Sequence, residues 1–91
     1  MALADDNFVI TPHALFEMRR RDLDDEVVRN VLASPEQRYS VRHDRDVRQS
    51  IINIGNKAYL LRVFVDVDRE PAEVVTACLT SRVAKYWRPG P

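Results

Sequence analysis

"VRQSIINIGNKAYLLRVFVDV", residues 47–67, carries two runs rich in β-branched, aliphatic and aromatic residues on either side of Gly55-Asn56. The period of two marks both runs as strands, and the glycine-asparagine pair suits the tight turn of a hairpin. In the second run Leu61, Val63 and Val65 form a purely apolar set, whereas the alternate set holds Arg62 between Leu60 and Phe64. One face of this hairpin is built for a core and the other carries a cation.

The same period extends outward. "RYSVR" (38–42) alternates around Tyr39 and Val41 before the polar turn "HDRD" (43–46), and "AEVVTACLT" (72–80) follows the break "DREP" (68–71). In that last run Val75, Ala77 and Leu79 read as one face, with Val74, Thr76, Cys78 and Thr80 on the other. The second set carries the polar groups, so Arg62, Thr76 and Thr80 are expected on the less covered face of the sheet.

Towards the N-terminus the period lengthens. Thr11 is suited to cap a helix, Pro12 to its first position, and Ile10 with Leu15 to a hydrophobic staple. The helix should stop near Arg21, because Asp22 tolerates a left-handed closing conformation. Asp24 caps a second helix with an apolar stripe of Val27, Val28, Val31 and Leu32, which ends at Ser34 before Pro35. These elements predict one α+β domain over residues 1–91. Two N-terminal helices pack on one face of a mostly antiparallel four-stranded sheet, Phe8 to Ile10 is available as an extra edge strand, and a short helical turn closes the chain.

That closing turn is "SRVAKYWRP" (81–89). At helical spacing Val83 and Trp87 share a face, so Trp87 is expected to dock on the fold beside Val83 and the sheet edge, a structural role. Arg82, Lys85 and Tyr86 then point away.

Fourteen basic and fourteen acidic residues cancel, but residues 1–36 hold four arginines against eight acids (−4) and residues 37–91 hold ten basic groups against six acids (+4). Such asymmetry fits a basic face on one half of the fold, and equally two halves that attract each other. A single cysteine, Cys78, forms no internal disulfide and is read as a small packed hydrophobe. With no membrane-length apolar run and no secretion signal in "MALADDNF", the expected setting is the cytoplasm.

In "RRR" (19–21), Arg19 and Arg20 are expected to be solvated, Arg20 sharing a flank with His13 and Glu17. Arg21, beside the apolar stripe, is expected to anchor the turn to the second helix. His13 suits a structural bond to a loop carbonyl as well as proton chemistry. No metal site is expected, because His13, His43 and Cys78 lack paired spacing; with Gly55 and Gly90 as the only glycines there is no phosphate-cradling loop, and no cofactor motif is present. The remaining inventory is arginine, lysine, tyrosine and histidine. It suits RNA cleavage by the substrate's own 2′-hydroxyl, which needs a base, an acid and cations on the phosphate; it also suits RNA binding alone.

"TPHALFEM" (11–18), "RRRDLDDEVVRNVL" (19–32) and "VVTACLTSRVAKYW" (74–87) together resemble a domain-of-unknown-function branch of the RelE/ParE-like toxin superfamily. His13-Ala14, Met18, Arg21, Leu23 and Val74-Val75-Thr76 fit its pattern, while Glu17 stands where arginine is usual and Asp22 where glycine is usual. The resemblance implies a RelE-like fold, a cognate antitoxin that wraps it, and one of two activities: RelE-like cleavage of mRNA on the ribosome, or ParE-like action on DNA gyrase. Location and chemistry nominate His13, Arg62, Arg82, Lys85 and Tyr86 for catalysis, and Thr76, Thr80 and Arg88 for RNA contact. The leading expectation is an mRNA endoribonuclease toxin of a type II toxin-antitoxin pair; the alternative is a non-catalytic protein-binding module of the same fold. Oligomeric state is not legible.

Overall fold

The structure, a computed structural model, describes residues 8–89. Residues 1–7, read above for a secretion signal, and residues 90–91 lie outside the described residues.

Thr11 caps α1 (Pro12–Arg20) by accepting a hydrogen bond from the Ala14 amide at 3.1 Å. The helix closes as Asp22 turns to a φ of 59°, with the Leu23 amide donating to the Met18 carbonyl at 2.8 Å and the Asp22 amide to the Arg19 carbonyl at 3.1 Å. That doubly bonded left-handed closure normally uses glycine, and an aspartate serves here because its short polar side chain also tolerates it. Asp24 then caps α2 (Asp25–Ala33) through the Glu26 amide at 2.8 Å, and Asp25 and Glu26 occupy the positive end of that helix.

The strands are β1 (Phe8–Ile10), β2 (Gln37–Arg42), β3 (Arg45–Ile54), β4 (Lys57–Asp66) and β5 (Ala72–Thr80); α3 (Val83–Tyr86) follows. They form one five-stranded sheet in the order β1-β5-β4-β3-β2. The β2-β3, β3-β4 and β4-β5 pairs are antiparallel, but β1 runs parallel to β5. The expected four-stranded sheet is therefore a mixed one of five. Three residues are too few for alternation to show their partner or direction; what holds them is the pairing of Ile10 with Val74, extended by the Thr11 amide donating to the Val74 carbonyl at 3.1 Å.

Ala14 and Met18 of α1 and Val28, Val31 and Leu32 of α2 bury themselves against Leu61, Val63, Val65, Val74 and Ala77. Val74, expected on the polar side, belongs to this core. The register runs Phe64↔Thr76 and then Val65↔Val74, so Val75 is an extra residue that resets the alternation. Arg48 also lies on the helix side. Its Nη1 donates to the Leu32 carbonyl at 2.8 Å, satisfying an orphan at the negative end of α2, and its guanidinium lies 4.7 Å from the Phe8 ring centre. Burial lowers the pKa of this arginine from its ordinary value.

Arg21 does not tie the turn to α2 as expected. Its Nη1 donates to the Ala77 carbonyl at 3.0 Å and its Nη2 pairs with Glu17 at 3.3 Å, fastening the end of α1 to β5. Beyond Val74, β5 has no strand on its outer edge, which leaves this carbonyl to be satisfied by a side chain.

Candidate functional site

The side of the sheet opposite α1 and α2 centres on Arg62, half-buried in β4. Its Nε donates to Gln49 Oε1 at 2.9 Å and its Nη2 to the Tyr39 hydroxyl at 3.0 Å. The guanidinium carbon lies 4.3 Å from the Tyr86 ring centre and 5.2 Å from that of Phe64. No carboxylate pairs with it among the described residues, whereas Arg20, Arg21, Arg38, Arg42, Arg45 and Arg69 all have acidic partners. Among the described residues its Nη1 has no hydrogen-bond partner and is not one of the buried polar atoms left unbonded, so that end is accessible.

Gln49 organises the surroundings. It is fully buried, directly opposite Arg62 in the β3-β4 register, and its Nε2 donates to Gln37 Oε1 at 2.8 Å and to the Tyr86 carbonyl at 3.1 Å. Gln37 in turn accepts from the Arg88 amide at 3.1 Å and donates Nε2 to the Arg88 carbonyl at 2.6 Å. Two glutamines thus fasten the C-terminal segment to β2 and β3. The less covered face is consequently covered in part, and Val47 and Leu60 on it are fully buried. Tyr86, expected to point away, lies over Arg62 instead. Two amide donors on the sheet, Gln49 Nε2 and Gln37 Nε2, and one acceptor, Gln37 Oε1, hold the backbone of residues 86–88, which turns the phenol inward.

Other expected site residues fall around this centre. Thr76 pairs with Phe64, Cys78 with Arg62 and Thr80 with Leu60, which sets all three on the Arg62 side. Burial raises the Cys78 thiol pKa, with the charges of Arg62 and Arg21 opposing. Arg82 is exposed at the start of α3, its amide held by Thr80 Oγ1 at 3.0 Å, and its side chain is not bonded to Arg62. The Lys85 ammonium is 5.3 Å from the Tyr86 ring centre, and the Arg88 guanidinium is 3.7 Å from that of Tyr39. Trp87 is half-buried and lines a depression with Glu36, Gln37, Arg38 and Tyr39, so it docks on β2; no residue of α3 is fully buried. His13 is exposed in the first turn of α1, on the helix-bearing side, and the structure does not bring it to Arg62.

Tyr39, Gln37 and Gln49 escaped the sequence reading. A glutamine and a tyrosine at alternate positions of strands already assigned were the available signal, since Gln49 shares its face with Val47. Together the groups offer a phosphate a half-buried guanidinium with one accessible end, further cations in Lys85 and Arg88, and aromatic surfaces. Among the described residues no three His, Cys, Asp or Glu side chains cluster to hold a metal ion.

A family model described as "Domain of unknown function (DUF4258)" matches residues 10–79. The chain belongs to this family. No curated protein and no solved structure matches the chain. The DUF4258 match includes Tyr39, Gln49 and Arg62 but stops short of α3, so the residues that fold back over Arg62 lie beyond it. No helix among the described residues is long and apolar enough to cross a membrane.

Proposed function

We propose that this DUF4258 protein is an endoribonuclease toxin of a type II toxin-antitoxin pair, of RelE-like fold within the RelE/ParE-like superfamily. The observation that carries the reading is Arg62: a half-buried cation without a carboxylate partner among the described residues, held by Tyr39 and under Tyr86, with Lys85 beside the Tyr86 ring and Arg88 over the Tyr39 ring. Burying an unpaired charge is costly, and an anionic ligand that completes the site compensates for it.

In the proposed reaction the RNA 2′-oxygen attacks the adjacent phosphorus and loses its proton, while the 5′-oxygen leaves and gains one, giving a 2′,3′-cyclic phosphate and a 5′-hydroxyl. Arg62 holds a non-bridging phosphate oxygen and stabilises the charge that builds on it, assisted by Arg82 and Arg88. Tyr86, over Arg62, and Lys85, beside the Tyr86 ring, handle the two protons. Thr76 and Thr80 offer hydroxyls along the same face. His13 has no part in this scheme, because it belongs to the opposite side of the sheet. The partners are mRNA, with the ribosome as its natural presenter, and a cognate antitoxin.

A second reading, a protein-binding module, is favoured by the absence, among the described residues, of a histidine or free carboxylate bonded to Arg62 to act as a conventional base. Incubating the purified protein with single-stranded RNA, and with the same RNA carrying 2′-deoxy nucleotides at the cut positions, separates the two. Cyclic-phosphate ends in the first and none in the second support the nuclease; RNA left whole supports the module.

A further inference from the structure

A second surface, distant in character from the Arg62 face, lies between α2 and β3. Two depressions adjoin at Val27 and Ile52, giving a groove floored by Leu23, Val27, Val31, Ile52, Ile54 and Leu79. Ile54 at its open end is 51% exposed. Asp22 and Asp24 form the rim at that end, and Asp25 and Glu26 follow in the chain with no base among them. None of these four acids pairs with a cation among the described residues, although Asp44, Asp46, Asp66 and Glu73 all do. Asp24 is bonded to the Glu26 amide and the positive end of α2 offsets part of this charge, but no cationic side chain among the described residues neutralises it, so the apolar trough ends in carboxylates complementary to an aliphatic stripe ending in positive charge.

We propose that this groove docks a helix of a second protein, presenting aliphatic residues at i and i+4 and lysine or arginine at the end that meets Asp22 and Asp24. The element is a helix because the groove runs beside α2 on the helix-bearing side of the sheet, where a third helix would extend the existing layer at the usual spacing of about 8–10 Å. The adjoining α2, nine residues, is about 14 Å long, room for two aliphatic side chains one turn apart to lie beside it. The lysine end adds the specificity that apolar contact lacks, because an acidic helix meets like charge from Asp22 and Asp24 there.

The test uses the full chain, labelled with nitrogen-15, and two synthetic amphipathic helical peptides that share paired leucines and differ in ending with lysines or glutamates. The lysine peptide should shift the amides of Val27, Ile52 and Ile54, and its affinity should fall about tenfold or more in Ile54→Lys, a substitution at an exposed position that should leave the rest of the spectrum unchanged. Equal binding of both peptides, shifts confined to the surroundings of Arg62, or no shifts at millimolar peptide would overturn the proposal. So would concentration-dependent self-association without peptide that Ile54→Lys abolishes, which would make a second copy of the chain the occupant.

Discussion

Gln49 and Arg62 face each other across the β3-β4 register, and the guanidinium donates its Nε hydrogen to the glutamine's carbonyl oxygen at 2.9 Å. The amide nitrogen of the same glutamine holds Gln37 and the Tyr86 carbonyl. One buried side chain therefore fixes the central cation and the C-terminal segment over it.

Replacing Gln49 with leucine keeps the volume and removes all three bonds. Partners left unbonded in a covered site cost about 1–3 kcal/mol, so urea unfolding should show a loss of that size. The single tryptophan, Trp87, reports the segment directly: its emission should move to longer wavelength in Gln49→Leu under native conditions as residues 86–88 detach. Unchanged emission would mean that the Gln37 bonds and the Tyr39 hydroxyl, 3.4 Å from the Tyr86 carbonyl, hold the segment without Gln49.

Arg21→Ala should cost about 0.5–1.5 kcal/mol, the usual net value of one hydrogen bond, because the Ala77 carbonyl loses its donor. RNA affinity should stay at the wild-type value, since Arg21 fastens α1 rather than facing the proposed substrate. Paired thermal melts and filter-binding assays check both halves.

Asp66 gives an acid-side expectation. Its hydrogen bond to Arg45, at 2.6 Å through Nε and 3.2 Å through Nη2, holds its carboxyl below the ordinary aspartate pKa. Because the folded value lies below the unfolded one, the contribution is fully present above the unfolded pKa of about 3.9 and is lost as pH falls from there through the folded value. Asp66→Asn should therefore be less stable than wild type at neutral pH, and the difference should shrink below about pH 4. Chemical denaturation across that range would measure it; a difference that stays constant would show that the pair contributes nothing through its charge.

Sequence pattern made most of the architecture legible because its signals are local. Thr11, Asp22 and Asp24 mark helix ends through bonds to residues within a turn, and Leu61, Val63 and Val65 announce a core face by simple alternation. The misreadings are non-local. Val74 reached the core because a bulge at Val75 breaks the alternation, Arg21 answers a carbonyl exposed by the shortness of β1, and Tyr86 turns inward because Gln49 and Gln37 await the backbone behind it. Arg62 could be nominated from its apolar neighbours, but its pairing with Gln49 and Tyr39 depends on a register that alternation alone does not set.

The central claim is that Arg62 acts on RNA. Its most direct test is transcriptome-wide mapping of RNA 5′ ends after induced expression of the wild-type chain and of Arg62→Ala, without neighbouring genes, with the folded state of each purified protein checked by its melt. Arg62→Ala should remain folded, less stable by about 1–3 kcal/mol because the buried Gln49 loses a donor, and cation loss should reduce cleavage by about 100-fold or more. Growth arrest with new mRNA 5′-hydroxyl ends is expected for wild type and neither for the folded variant; a folded Arg62→Ala that arrests growth and cuts mRNA like wild type, or wild-type arrest with intact mRNA, would show that Arg62 does not act on RNA.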